Sequence, residues 1–408
     1  MPDSTVPGDR LREIRLLRGL TQEELAERSG LSLPTVKKIE QGGSARIETY
    51  HALARGLRIR TSQLFEPGDQ PSRRDHADDD RIDLLPMRQA VAPPLGPGGH
   101  LHVETVEIEP DLDQLRATAR ALDEAYHRDD YVTTSRLLPP LIRSAHTAVA
   151  HFDGGPQHVD ALRLRSDALQ QAGRLLTQIR VYDLAQMALR DAVRDSASAG
   201  DVLAEAAAVD LQGWALVREA RLDEAEGVAL ATAEAIEPRL SRASRDELAV
   251  WGRLLVRASG AAARNNRPSE AREILQVARA AGSALGQRTG GASYKSGAFN
   301  HLSAAYQAIE NHMIADRPDR VLGMAERIQA AEASTSNTRH RHLLDVARAH
   351  VALRQDGDAE DILDALHEES PDWLRHQQMA SEVFADLLRK RKRLTQRQRR
   401  LAQFFAAA

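Results

Sequence analysis

Cysteine is absent from the 408 residues. Disulfides, thiol nucleophiles and thiolate metal sites are excluded with it. Aromatic residues reach only 4% while alanine is abundant. That balance points to helices packed through small side chains rather than to a β-rich fold. No apolar run approaches the roughly 18 residues that a membrane-spanning helix needs. The start, Met1-Pro2-Asp3-Ser4, lacks the basic-then-apolar order of a secretory signal, so a cytoplasmic protein without a membrane partner is expected. Lysine is scarce, five against 50 arginines, which suggests a GC-rich bacterial genome and says nothing of mechanism.

Catalytic and metal constellations are also missing. His100 and His102 lie by a Pro/Gly-rich stretch with no third ligand. His340 and His342 would face apart on a helix. His367-Glu368 lacks the second histidine of H-E-x-x-H, and Gly96, Gly98 and Gly99 do not sit between a strand and a helix. No enzyme activity, cofactor or metal is expected.

What is present is a chain that is 42% hydrophobic and 28% charged, able to bury roughly two to three domain cores. Its net charge of −4 is segregated. Residues 1–66 carry 11 basic and 9 acidic side chains, and residues 389–408 carry 8 basic and none acidic. The remaining body is therefore at −14, and a contact with DNA would be confined to the ends.

The most informative run is Leu20 to Gly42. A first helix is predicted from Asp9 to Arg18, with Leu11, Ile14 and Leu17 at helical spacing and Gly19 as its stop. Thr21 and Glu24 fit the S/T-x-x-E capping box that starts a second helix. Gly30 is the turn residue. Ser32 can cap a third helix, in whose first turn Pro34 is tolerated. A fourth helix is expected over 47–56 and a short fifth over 62–65. Two short helices joined by a glycine turn, the second with a polar, basic outer face, are the layout of a helix-turn-helix, whose second helix enters the major groove.

Residues 67–110 read as a linker rich in Pro, Gly and Asp, with a short docking turn at Leu84, Leu85 and Met87 and a brief extended segment at 101–108. From 111 to 388 the pattern is helical. Small residues recur twelve apart, at Gly173 and Ala185, Gly213 and Ala225, Ser259 and Ala271, Ala347 and Ala359. Antiparallel hairpins need small side chains where their backbones approach, and stacked hairpins of roughly 40 to 50 residues form a solenoid. Residues 389–408 form a basic amphipathic helix, with Leu387, Leu394 and Leu401 seven apart. Three roles for it stay open: a solvated cap, a docking helix, or added contact with the DNA backbone.

In residues 9–66, Leu-x-x-x-Arg before Gly19, Thr21-Gln22-x-x-Leu25-Ala26, Gly30, Ile39-Glu40 and Gly42 stand in register. This resembles the lambda-repressor-like (Xre-type) DNA-binding domain. The later repeats resemble tetratricopeptide units, and the combination is similar to actinobacterial Xre-family regulators with a tetratricopeptide-like domain, a group that the stretches Arg221 to Glu226 and His342 to Ala349 look like. The fold expected is all-α: a five-helix lambda-repressor-like domain followed by a tetratricopeptide-like solenoid. The resemblance implies a phosphate contact for Gln22 and a partly buried ion pair of Arg15 with Glu40. From the residues themselves, Ser32, Leu33, Pro34, Thr35, Lys37 and Lys38 form the reading helix. Lys38 can donate to guanine, Leu33 and Pro34 can touch a thymine methyl, and Ser44 and Arg46 can reach a neighbouring phosphate.

One such module reads only about four or five base pairs, so a homodimer on a palindromic operator is expected, with the repeats supplying the dimer. The repeats are also expected to sense a peptide, small molecule or protein. Asn265, Asn300, Tyr306 and Asn311 are candidates for that groove. The competing reading is an interaction adaptor whose N-terminal domain does not read DNA.

Overall fold

The computed structural model describes residues 7–65, 84–97, 108–286, 299–300, 302–328, 336–389 and 393–407. The extended segment expected near 101–108, with His100 and His102, lies almost wholly outside them. Among the described residues the architecture is all-α, with twenty α-helices and one 3-10 turn. They fall into two compact units.

The first unit comprises residues 1–126, 130–175 and 194–200. It opens with α1 (Pro7–Leu17), α2 (Gln22–Ser29), α3 (Leu33–Glu40) and α4 (Ile47–Leu57). The expected fifth helix is a single 3-10 turn, Thr61–Leu64. Leu11, Leu25, Val36, Ile39, Ile47, Leu53 and Leu64 are fully buried and close this small core. The docking turn is a helix, α5 (Leu85–Val91), whose Met87, Ala90 and Val91 are buried and which packs on α7 (Tyr131–His151). The α6 helix is Leu112–His127, and α8 starts at His158.

The sequence gives no hint of how tightly α4 is held. Nine of its residues are buried, because α7 covers its outer side. Ile47 N–H donates to Ser144 Oγ at 2.9 Å, and Ser144 Oγ donates to Glu48 Oε2 at 2.5 Å. Arg143 donates to Ala45 O and Arg136 to Phe65 O. Between these anchors α7 carries Pro139 and Pro140 inside the helix. Each removes a backbone donor, and such sites kink helices.

The second unit comprises residues 127–129, 176–193 and 201–408. It contains α10 (Val202–Arg218), α11 (Leu222–Ala235), α12 (Arg245–Arg264), α13 (Pro268–Gly286), α14 (Ser303–Ile314), α15 (Pro318–Ala325), α16 (Ser336–Ala352) and α17 (Asp356–Glu369). After them come α18 (Pro371–Arg375), α19 (Gln378–Leu388) and α20 (Gln396–Ala407). Consecutive helices pair as hairpins, and α12 also packs on α10 and α14.

The twelve-residue offsets mark the close approaches. A Cβ on Gly213 would meet Ala225 O at 3.9 Å. Ser259 Oγ donates to Ala271 O at 2.7 Å. Ala347 and Ala359 are both fully buried. The core is correspondingly alanine-rich, with Leu248, Leu254, Trp251 and Phe299 as its larger members.

The described part of the basic C-terminus docks on this unit. Arg397 reaches Asp361 and Asp364, and Arg400 pairs with Asp364. Leu401 is fully buried, and Phe405 stacks near Phe384 at 5.3 Å. The acidic face of α17 thus neutralises part of the charge that made a DNA contact conceivable.

Candidate nucleic-acid interface

Local chemistry fixes the two helices of the motif. Glu24 N–H donates to Thr21 Oγ1 and Thr21 N–H donates to Glu24 Oε2 at 2.7 Å, closing the capping box. Gly30 follows α2 at φ 68°, the left-handed turn that favours glycine, and its N–H returns to Ala26 and Glu27. Ser32 caps α3 through Thr35 N–H, and Pro34 occupies the first turn.

Three side chains then pin α3 to α1 and α2. Arg15 Nε and Nη2 donate to Glu40 Oε1 and Oε2 at 2.6 and 3.0 Å, a two-pronged pair. Arg15 Nη1 donates to Leu20 O at 2.7 Å. Gln22 Nε2 donates to Glu40 Oε2 at 2.6 Å. The hydrogen bond to Glu40 raises the Arg15 pKa above its ordinary value, against the opposing effect of burial. Glu40 therefore gathers one group from each neighbouring helix, and the orientation of α3 follows from that knot.

The outward side of α3 is open. Pro34, Lys37 and Lys38 are exposed, and Leu33 and Thr35 are half-buried. Leu33, Pro34, Lys37 and Lys38 line an open depression of about 540 Å³ with Gln41 and Gly43. Ser32 and Thr35 share a hydroxyl contact at 2.8 Å.

Other expected residues are placed differently. Gln22 spends its amide on Glu40. Arg46 is 5% exposed, precedes α4, and donates to Ile108 O at 3.1 Å. Its guanidinium is engaged within the protein. Ser44 is half-buried at the end of that loop. Gln41 and Gly43 were not anticipated. Gly43 lies so near Lys38 that a Cβ would stand 2.6 Å from its Cγ and 2.7 Å from its carbonyl oxygen.

The groove candidates are each engaged within the protein. Asn265 caps the end of α12 and donates to Asp223. Asn300 folds back on Leu302 and Ser303 before α14. Asn311 donates to Ser259 Oγ at 3.0 Å and accepts from Gln307. Tyr306 stacks with His342 at 4.6 Å. His340, by contrast, is buried with Asp129 and Glu369 on either side.

The helix-turn-helix family model matches residues 11–64. Residues 11–64 are a helix-turn-helix domain. The match ends at the 3-10 turn, so α3, the Arg15–Glu40 knot and α4 all lie inside it. Part of the chain is also similar in structure to Bacillus thuringiensis PlcR, solved in complex with the peptide PapR7 and DNA. Identity is 11% over 80% of this chain and 96% of that one, with a TM-score of 0.35, too low to transfer anything from it. No curated protein matches the chain. Among the described residues no helix is long and apolar enough to cross a membrane.

Proposed function

We propose that the protein is a sequence-specific transcription regulator that binds palindromic DNA as a homodimer and whose helical domain senses an effector. The observation that carries this reading is α3 itself. Its inner side is pinned through Glu40, while Pro34, Lys37 and Lys38 stand exposed on the other side. That is the arrangement needed to present a helix to a major groove. Lys38 and Lys37 would meet guanine and phosphate, and Leu33, Pro34 and Thr35 the thymine methyls and neighbouring backbone. Gln41 is added to this set, and Arg46 is removed from it.

The functional division remains the one proposed from sequence: 1–66 for reading DNA, 67–110 as connector, 111–388 for dimerisation and sensing, and 389–408 as a terminal helix. The clasp of α4 by α7 supports a route between the first and third of these. Displacement of α7 would carry α4 and the Ala45 loop before it, and through α2, which packs on both, would reach α3. An effector acts through such a route only by preferring one position over the other.

The adaptor alternative draws on Gln22 and Arg46, both engaged within the protein. Selection of random duplex DNA by the full chain separates the two. An enriched two-fold site supports the regulator, and no enrichment with folded protein supports the adaptor.

A further inference from the structure

The α4 helix begins without a cap of its own. The first N–H groups of a helix have no partner inside it, and a serine, threonine, aspartate or asparagine just before the first turn commonly supplies one. Here that place is held by Arg46, whose side chain makes no bond to the helix and donates instead to Ile108 O. Solvent is no substitute, because Ile47 is fully buried and Glu48 is 2% exposed. A buried N–H left without an acceptor is costly.

The missing group comes from α7. Ser144 Oγ, itself fully buried, accepts from Ile47 N–H at 2.9 Å and donates to Glu48 Oε2 at 2.5 Å. One hydroxyl thus satisfies the first N–H of α4 and a carboxylate in its first turn. Among the described residues the other oxygen of that carboxylate, Glu48 Oε1, finds no donor. Ser144, by contrast, stands 3.0 Å from Pro140 O, the carbonyl one turn back in its own helix. Loss of the contact therefore strands groups of α4 and leaves Ser144 an acceptor within α7.

The preceding residue extends the hold. Arg143 Nε donates to Ala45 O at 3.3 Å, so positions 143 and 144 grip the chain on both sides of Arg46. Ala45 stands two residues after Gly43, whose N–H returns to Lys38 O at 2.8 Å. Gly43, Gln41 and Lys38 line the same depression on the outer side of α3. The backbone of 41–46 therefore joins Lys38 to the grip of α7, and α2, packed on both α3 and α4, offers a second path. The family match ends at residue 64 and takes in none of α7.

We propose that α7 is part of the DNA-reading module: Ser144 supplies the cap of α4 from far along the chain and, with Arg143, positions the 41–46 loop beside Lys38. Both are positioning residues, and neither touches DNA. The positioning role rests on the regulator reading above, whereas the hold of α7 on the loop does not.

The test uses the full chain. Hydrogen exchange is read separately at 41–46 and at 47–50, and Tm is followed by the tryptophans, all beyond residue 200. In S144A, exchange at 47–50 should be roughly 5- to 150-fold faster, as an unmet buried donor implies. The 41–46 loop should loosen with it, and the tryptophan Tm should stay. R143M frees Ala45 O without touching Ile47, so it should loosen 41–46 and leave 47–50 protected. S135A removes a hydroxyl that returns to Val132 O of its own helix and should change neither. Affinity of S144A for the duplex that wild type selects from random DNA should fall about tenfold or more. Unchanged affinity refutes the positioning role whatever the exchange shows. Loosening confined to 47–50 makes Ser144 a structural cap alone and overturns the hold on the loop. If S144A does not fold, R143M decides, and unchanged exchange at 41–46 refutes the hold. If wild type selects no duplex, the regulator reading fails by itself, and exchange at 41–46 still upholds or refutes the hold.

Discussion

Replacing Glu40 by alanine should unfasten α3 while leaving the rest of the protein folded. The side chains of Arg15 and Glu40 are 8% and 3% exposed. Removing the carboxylate strands Arg15 Nε, Arg15 Nη2 and Gln22 Nε2 together, and only the Leu20 carbonyl still holds Arg15. Breaking a buried pair from one side costs about 3–5 kcal/mol. Water can reach the freed guanidinium at this edge, so about 2–4 kcal/mol is expected. All three tryptophans lie beyond residue 200, so their fluorescence would miss the event. Hydrogen exchange of peptides from α1 to α3 reads it directly. Local opening cheaper by that amount makes exchange roughly 30- to 900-fold faster there, with α12 and α13 unchanged. The double substitution Arg15→Met with Glu40→Leu should recover most of the protection, since a packed apolar pair often equals a buried ionic one. Exchange in Glu40→Ala within threefold of wild type would refute the reasoning. So would a double variant as loose as the single one.

Four further outcomes follow from the same geometry. Lys37→Ala should weaken all duplexes evenly and lower the salt slope by about one, whereas Lys38→Ala should cost about 1–3 kcal/mol of discrimination at one base pair; identical effects of the two on sequence preference would contradict this. Gly43→Ala places a methyl against the Lys38 backbone, so DNA affinity should fall at least tenfold with the global Tm retained, and unchanged affinity would show that Lys38 needs no such support. Burial, then Arg165, pushes His146 down to about 4 against the hydrogen bond to Ala90 O. Its neutral form contributes fully above the unfolded value near 6.5, and that contribution is lost as pH falls toward 4. Wild type should thus lose Tm across this window more steeply than His146→Gln, and equal slopes would count against it. Deleting residues 389–408 should lower Tm by several degrees, because Leu401 leaves the core and Asp364 loses both arginines, without altering the salt slope of DNA binding; a reduced slope at constant Tm would reverse the assignment.

The helix-turn-helix was legible because its signals are local. Thr21 with Glu24, Gly30, and Ser32 with Pro34 each act within four residues, and the structure uses each as a cap or turn. The hairpin contacts were legible for a similar reason, since Ser259 and Ala271 meet across one short turn. The surroundings of Arg46 were not legible because they are set by residues far along the chain. Arg46 lies next to α4, whose first N–H is taken by Ser144, 97 residues away. Nothing in a single sequence ties these two positions together. The pairing of Glu310 on α14 with Arg264 of α12 and Arg341 of α16 was invisible for the same reason. Arg264, Glu310 and Arg341 are 46 and 31 residues apart, and each alone reads as a solvated surface charge. Asparagines drew attention as groove residues, and the structure shows that Asn265 and Asn300 also serve helix ends.

Selection from random duplex DNA by the full chain, repeated with the Lys38→Ala variant, tests the central claim most directly. The account predicts a two-fold symmetric site whose half-sites lie about one helical turn apart or a multiple of it, and a variant that loses preference at one position of each half-site. A folded protein that enriches no sequence at moderate salt, or a variant that selects the same site with the same stringency, would contradict it.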